Sequence, residues 1–240
     1  MTFRSICIAI YVFFYLIFTT PERIRLKKLE QTDSQKASHI AQEHIQKVFR
    51  HLLKISGVTV EVKGLENIPD EASLFVGNHS SYFDIIVTGA SIPGGVGFVA
   101  KDSLGNIPGL SSWMKRIHCL FLDRKDVRKG LQTILEGAEY LKEGYSMCIY
   151  PEGTRSTDGE LGEFKGGSLK MAQKAKAPIV PVAITGTRDI FENNPGLRVC
   201  PSHVTISFGT PFKISELPAT EKKFAGEYAK KAIEDMLTSQ

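Results

Sequence analysis

The feature that most constrains the fold is an alternation, from residue 57 onward, of short apolar runs with longer amphipathic stretches. The apolar runs have the length and composition of buried strands, and they lie at residues 58–62, 73–76, 97–100, 119–122, 147–150, 179–184 and 203–209. Helical periodicity recurs at residues 167–175 and 215–238. It is clearest at residues 127–141, where one face carries Val127, Leu131, Ile134, Leu135, Ala138 and Leu141. This alternation predicts an α/β fold with a mostly parallel central sheet flanked by helices.

The first 56 residues differ in composition and predict a separate membrane-binding segment. An uncharged run at residues 6–18 precedes a basic block of Arg23, Arg25, Lys27 and Lys28. A helix over this run would reach only about 20 Å, against the roughly 30 Å of a bilayer core. No small-residue cleavage site follows it, and the positive-inside rule keeps the basic block in the cytoplasm. We therefore expect attachment to the cytoplasmic face of the cell membrane, through a monotopic or single N-terminal anchor.

A second helix is predicted at residues 35–55, where Ile45, Val48, Phe49, Leu52 and Leu53 recur at helical spacing. Two interpretations are open. The helix packs on the globular core, or it lies in the membrane interface beside the first helix. We favour the second, which gives an N-terminal membrane-associated two-helix segment over residues 1–56 and an α/β domain over residues 57–240.

Charge and cysteine usage exclude several classes of function. Residues 1–56 carry nine basic and four acidic residues, whereas the remainder carries 21 and 22. The net charge of +4 therefore belongs to the N-terminal segment, which favours anionic lipid headgroups as partners and not nucleic acid. The four cysteines form no CxxC pair, and no histidine cluster has metal-ligand spacing. We expect no metal, no disulfide framework and a reducing compartment.

Polar residues follow several of the predicted strands. In an open parallel sheet the carboxyl ends of the strands meet at one edge, where ligands bind. The residues that this places together are His79, Lys101, Arg124, Glu152 and Arg155. A single lysine or arginine after a strand is more often a solvated loop charge, but several converging on one edge is unexpected by chance. Three cations suit an anionic substrate, most naturally one that carries a phosphate.

His79 and Asp84 are candidates for a general-base pair. A continuous helix would turn residues five apart by about 140° from each other. The two side chains can meet if His79 lies in the turn before a helix and Asp84 in its first turn. The aspartate would then fix one imidazole nitrogen and leave the other as a base. The nucleophile motif GxSxG is absent, and Cys119 and Cys148 are expected in the core. A substrate hydroxyl is therefore the expected nucleophile.

Four blocks of the chain resemble those of glycerolipid acyltransferases. Residues 78–84, NHSSYFD, match the NHx4D motif, and residues 120–124, LFLDR, are similar to the second block. Residues 150–156, YPEGTRS, match FPEGTRS with tyrosine for phenylalanine, and residues 179–184 resemble a fourth block with an internal proline. The blocks follow in the family's order, so the resemblance covers about residues 58–210.

The resemblance implies 1-acylglycerol-3-phosphate O-acyltransferase activity. A fatty acyl chain would move from an acyl thioester, on coenzyme A or acyl carrier protein, to the sn-2 hydroxyl of lysophosphatidic acid, giving phosphatidic acid. His79 would be the general base and Asp84 its orienting partner. The remaining implied residues are Lys101, Arg124 and Arg155 for the phosphate, and Glu152, Gly153 and Thr154 for the pocket. No cofactor is implied beyond the thioester co-substrate.

Other interpretations stay open on the sequence. The acceptor could instead be glycerol-3-phosphate, a lysophospholipid with a headgroup or a lyso-aminolipid. A hydrolase could use the same His–Asp pair, although it would leave the three cations unexplained. A non-enzymatic lipid-binding protein would use only the basic N-terminus and an inert pocket.

Overall fold

A seven-stranded sheet lies between two layers of helices in the computed structural model, which describes residues 2–239. The strands are β1 (Thr59–Lys63), β2 (Leu74–Gly77), β3 (Gly97–Lys101), β4 (Leu120–Leu122), β5 (Met147–Ile149), β6 (Ile179–Thr185) and β7 (His203–Phe208). The helices are α1 (Phe3–Phe18), α2 (Thr20–Glu30), α3 (Ser34–Ser56), α4 (Phe83–Ser91), α5 (Leu110–Arg116), α6 (Val127–Lys142), α7 (Lys170–Ala175) and α8 (Ala225–Thr238).

The strand order is β1-β7-β6-β2-β5-β3-β4. The strands β6, β2, β5, β3 and β4 run parallel to one another, whereas β7 is antiparallel to β6 and β1 is parallel to β7. The prediction of a mostly parallel sheet flanked by helices is confirmed. We call the edge at which the five parallel strands end the C-terminal rim. Because β1 and β7 run the other way, their first residues also lie at this rim.

Alternate side chains of each strand supply two separate hydrophobic cores. In β2, Phe75 contributes to one core, whereas Leu74 and Val76 contribute to the other. The core with Phe75 also contains side chains of α1, α2, α3, α4 and α5. The core with Leu74 contains side chains of α6, α7 and α8. The helices preceding β4 and those following it therefore cover opposite faces of the sheet.

The N-terminal segment contains three helices, one more than predicted. The uncharged run and the predicted second helix correspond to α1 and α3, and α2 lies between them with Pro21 in its first turn. The apolar stripe of α3 is buried, including Ile45, Leu52 and Leu53, and α3 packs against α4. The interpretation in which α3 packs on the core is therefore confirmed. The favoured alternative, with this stripe in the membrane interface, is wrong because protein already covers the stripe.

Helix α1 lies beside the C-terminal rim with most of its apolar surface exposed. Near its start, the Ser5 hydroxyl accepts a hydrogen bond from the Val199 N–H at 2.9 Å, just before β7 begins. At its end, the Thr19 hydroxyl accepts from Trp113 Nε1 in α5 at 3.1 Å. The large apolar residues exposed on α1 are Phe3, Ile6, Ile10, Val12, Phe13, Phe14, Ile17 and Phe18. Between residues 2 and 239 no single helix meets the length and hydropathy of a span, although α1 and α2, bent by 49°, meet them jointly.

Candidate active site

The turn that carries His79 is fixed to the neighbouring strand β6. The side-chain amide of Asn78 donates to the carbonyl of Ile184 at 2.9 Å and accepts from the Ile184 N–H at 2.8 Å. The His79 carbonyl accepts from the Ser156 N–H at 2.8 Å, which joins the turn to the loop after β5. Because β6 and the loop after β5 both hold this turn, the position of the imidazole is set by the sheet and this loop.

Asp84 lies in the first turn of α4, is fully buried and binds His79 as predicted. Its Oδ2 is 2.9 Å from His79 Nδ1 and accepts from the N–H groups of Ser80 and Ser81, both at 2.7 Å. Its Oδ1 accepts from the Thr187 hydroxyl at 2.6 Å. Four donors thus compensate the burial of one carboxylate, and they fix the direction of the bond to the imidazole.

The second nitrogen of the His79 ring is available for chemistry. With Nδ1 donating to Asp84, Nε2 keeps its lone pair. The side chain is 15% exposed, which leaves the ring reachable from the rim. The ring of Tyr150 stacks on the imidazole with 4.4 Å between the ring centroids, and its hydroxyl lies 3.1 Å from that of Thr88. Burial holds the pKa of Tyr150 well above its usual value, so this hydroxyl stays neutral.

Glu152, Gly153 and Thr154 lie on the loop after β5, beside the histidine. The carboxylate of Glu152 is buried and accepts from the His79 N–H at 2.7 Å and the Gly162 N–H at 3.0 Å. Burial raises the pKa of this carboxyl. Gly153 has a φ of +72°, and a Cβ there would lie 2.6 Å from Lys165 Nζ, so the lysine crosses directly over the glycine. Thr154 is exposed.

Arg155 is held next to the start of α4. Its Nη1 lies 2.9 Å from Glu192 Oε1, and its guanidinium carbon is 3.6 Å from the centroid of the Tyr82 ring. The Tyr82 N–H also donates to Glu192 Oε1, at 2.9 Å. Because Tyr82 is three residues from His79, these contacts bring Arg155 to the side of the site that α4 forms.

Lys101 and Arg124 lie at the C-terminal rim but not against the histidine. Both are exposed, and neither side chain has a hydrogen bond or ion pair with another residue of the described chain. In the strand order, β5 and β3 separate β2 from β4. At about 4.8 Å between strands, β3 lies about 10 Å and β4 about 14 Å from β2. The structure therefore brings His79, Asp84, Glu152 and Arg155 together and leaves Lys101 and Arg124 as unpaired cations further along the rim.

Several residues of the site were not identified from the sequence. Thr187 binds Asp84, Glu192 binds Arg155, and Arg188 donates to the carbonyls of Ser156 and Thr157 at 2.8 and 2.7 Å. Thr187 and Arg188 lie two and three residues after the end of β6, so the rule that polar residues follow the strands at the rim also applies to them. No local pattern points to Glu192. Within residues 2–239, no group of three or more His, Cys, Asp or Glu is arranged to hold a metal ion.

Comparisons with known proteins all indicate the same family. Residues 59–185 match the model of the family described as Acyltransferase. A protein of Mycoplasma pneumoniae, named probable 1-acyl-sn-glycerol-3-phosphate acyltransferase, is 32% identical over 199 residues, which cover 81% of this chain and 74% of that protein. The 1-acyl-sn-glycerol-3-phosphate acyltransferase of Saccharomyces cerevisiae is 33% identical over 205 residues, which cover 83% of this chain and 66% of the yeast protein.

The fold is also similar to a solved structure. The crystal structure of the 1-acyl-sn-glycerophosphate (LPA) acyltransferase PlsC from Thermotoga maritima superposes with a TM-score of 0.78 at 27% sequence identity. The superposition covers 97% of this chain and 94% of that one, so it includes the N-terminal helices as well as the sheet. Since the family match spans more than half of the sequence and includes the His79–Asp84 pair, this chain belongs to the acyltransferase family.

Proposed function

We propose that this chain is a 1-acyl-sn-glycerol-3-phosphate O-acyltransferase, which transfers a fatty acyl chain from an acyl thioester to the sn-2 hydroxyl of lysophosphatidic acid and releases phosphatidic acid. The observation that carries the proposal is the 2.9 Å contact between His79 Nδ1 and Asp84 Oδ2 at a rim with several cations. Relatives that cover most of the chain carry this activity in their names, which supports the choice of acceptor.

In the proposed mechanism His79 acts as the general base. Its Nε2 accepts the proton of the sn-2 hydroxyl while the hydroxyl oxygen attacks the thioester carbonyl. The carboxylate of Asp84 stabilises the imidazolium that forms. When the tetrahedral intermediate collapses, the carbon–sulfur bond breaks and the imidazolium returns the proton to the departing thiolate. The products are the new ester and a free thiol.

The enzyme itself supplies no nucleophile in this mechanism. Cys119 and Cys148 are buried, and burial raises the pKa of both thiols, that of Cys119 to about 12. A thiol that stays protonated and inaccessible does not attack a thioester. Direct transfer to the acceptor hydroxyl therefore fits the site better than a covalent acyl-enzyme.

Arg155 is proposed to bind the phosphate of the acceptor, with Lys101 and Arg124 extending the positive surface along the rim. Its Nη1 is occupied by Glu192. A guanidinium has five N–H donors in a fork, so the others can bind phosphate oxygens without breaking that ion pair. Glu192 and the Tyr82 ring would hold the fork in position.

The proposal is tested by assaying the purified protein against lysophosphatidic acid, glycerol-3-phosphate and lysophosphatidylcholine, each with acyl-CoA and acyl carrier protein thioesters. We expect phosphatidic acid to be the dominant product. Acylation of glycerol-3-phosphate in preference to lysophosphatidic acid would overturn the assigned acceptor. Release of free fatty acid without transfer would indicate the hydrolase instead.

Replacing Arg155 by alanine is expected to raise the KM for lysophosphatidic acid by about 10- to 100-fold. A hydrogen bond to a charged group contributes about 1.5–3 kcal/mol, and 1.4 kcal/mol corresponds to a factor of ten. The KM for the thioester should change by less than about twofold. Initial rates with each substrate varied at saturating concentrations of the other measure both constants.

The matched control for this substitution is Arg50→Ala, which removes an exposed arginine from α3. It should leave both constants unchanged. An Arg155→Ala variant with an unchanged KM for lysophosphatidic acid and a raised KM for the thioester would assign this arginine to the donor.

We propose that α1 attaches the protein to the cytoplasmic face of the cell membrane. Support comes from its exposed apolar side chains beside the C-terminal rim and from the exposed cations Arg25, Lys27 and Lys28 of α2. Deleting residues 1–56 does not test this, because the deletion also removes the buried stripe of α3 from the core. Substitutions on the exposed face of α1 avoid that problem.

The double substitution Phe13→Ser with Phe14→Ser is expected to weaken vesicle binding on the order of 100-fold. The two rings are 61% and 46% exposed, and burying a phenylalanine side chain contributes about 1.5–3 kcal/mol. Co-sedimentation with vesicles of phosphatidylglycerol and phosphatidylcholine measures the change. Phe224→Ser is the control, since that ring is 49% exposed next to α8 on the other face of the sheet. Equal losses of vesicle binding in both variants would show that α1 is not the membrane anchor.

A further inference from the structure

The apolar face predicted for α6 is only partly covered by the protein. Ile134, Ala138 and Leu141 are buried against the sheet and α7. Val127, Leu131 and Leu135 are 87%, 52% and 42% exposed. These three residues are four apart in sequence, so they form one line along the helix surface. We call Val127, Leu131 and Leu135 the α6 stripe.

Unpaired positive charge lies at the start of the α6 stripe. Lys125 and Arg128 are exposed, and neither side chain is within ion-pair distance of a carboxylate of the described chain. The nearby acids are already engaged, because Lys129 Nζ lies 3.6 Å from Asp123 and 3.9 Å from Asp126. The acidic residues Glu136 and Glu139 lie further along the helix. The positive charge is therefore concentrated at the end of the stripe that begins at the C-terminal rim.

The position of the stripe separates it from the proposed membrane anchor. Helix α6 packs on one face of the sheet with α7 and α8, whereas α1 packs on the opposite face with α3. A lipid surface that contacts α1 at the rim reaches at most Val127, at the start of the stripe, because Leu131 and Leu135 lie further from the rim on the opposite face of the sheet. From Val127 to Leu135 the stripe extends about 12 Å along α6, away from the rim. A helix of a partner protein could pack along a line of this length.

We propose that the α6 stripe binds an acidic helical protein that carries the acyl thioester and so delivers the donor to the C-terminal rim. The inference rests on the proposed function, which requires a thioester carbonyl at His79. Apolar side chains of the partner would cover Val127 and Leu131, and its carboxylates would pair with Lys125 and Arg128. Charge complementarity sets the orientation, since Lys125 and Arg128 lie at the end of the stripe next to the rim.

The test compares two donors of the same acyl chain, one on acyl carrier protein and one on coenzyme A. The double variant Leu131→Ser with Arg128→Glu is expected to lower kcat/KM for the carrier-protein donor at least tenfold. The fall should come from a higher KM for this donor, with kcat unchanged. The rate with acyl-CoA should change by less than twofold, which also shows that the variant is folded. The control is Lys231→Glu, which reverses an exposed charge on α8 of the same face.

The outcomes separate this inference from the proposed function. An equal fall with both donors, accompanied by weaker binding to phosphatidylglycerol vesicles, would make the stripe a membrane contact and overturn the inference. Unchanged kinetics with both donors, or an unmodified chain that uses only acyl-CoA, would overturn it while leaving the proposed function intact. If neither donor transferred its acyl chain to lysophosphatidic acid, the proposed function itself would be wrong.

Discussion

The substitution His79→Ala is expected to lower kcat for acyl transfer by about 1,000-fold, since a positioned general base contributes roughly 10²–10⁴-fold. The fold should survive the change. The imidazole makes one hydrogen bond, to Asp84, and the other three donors to that carboxylate remain when the ring is removed. Single-turnover formation of phosphatidic acid measures the chemical step, and vesicle co-sedimentation should be unchanged.

The control is His39→Ala, which removes an exposed histidine of α3 with no part in the site. It should retain full activity. If His79→Ala kept more than about a tenth of the rate, the general-base role of this residue would be wrong. If the unmodified chain itself transferred no acyl group, the non-enzymatic lipid-binding interpretation would replace the enzyme.

The fold and part of the site could be predicted because they depend on short-range patterns. Runs such as residues 179–184 are apolar throughout, which is typical of a strand buried on both faces, and β6 is buried over nearly its whole length. Once such strands are parallel, their carboxyl ends share one edge. The contact between His79 and Asp84 could be predicted from that rule and from the placement of His79 in the turn before α4 and Asp84 in its first turn.

The outcome for apolar helix faces was less predictable, because periodicity identifies a face but not what covers it. The stripes of α3 and α6 have the same spacing. That of α3 is buried against α4 and the sheet, whereas Val127 and Leu131 on α6 are exposed. The difference arises from the positions of neighbouring helices, which depend on the whole fold.

Partners distant in the sequence could not be predicted at all. Thr187 is 103 residues from Asp84, and Glu192 is 37 residues from Arg155. Glu152 lies in the YPEGTRS block and was expected to shape the substrate pocket. Its carboxylate is directed at the N–H groups of His79 and Gly162, so it also joins two loops. A motif identifies such a residue but not the direction of its side chain.

The substitution Asp84→Asn is expected to lower kcat about 100-fold while leaving the melting temperature within about 2 °C. Three N–H donors converge on the Oδ2 position, so the amide oxygen of asparagine must occupy it. The amide nitrogen then faces the Thr187 hydroxyl, which can accept. The geometry is retained, and only the negative charge that stabilises the imidazolium is lost; hydrogen bonds to charged groups contribute about 1.5–3 kcal/mol. Steady-state kinetics and thermal unfolding measure the two quantities.

Two comparison variants make this prediction specific to the charge. Thr187→Val removes one hydrogen bond to Asp84 without changing its charge and should lower kcat less than tenfold. In the double variant His79→Ala with Asp84→Asn, the second change should have no further effect, because residues that act as a unit are not additive. If Asp84→Asn slowed the His79→Ala variant by another 100-fold, the carboxylate would act on the substrate directly and not through the imidazole.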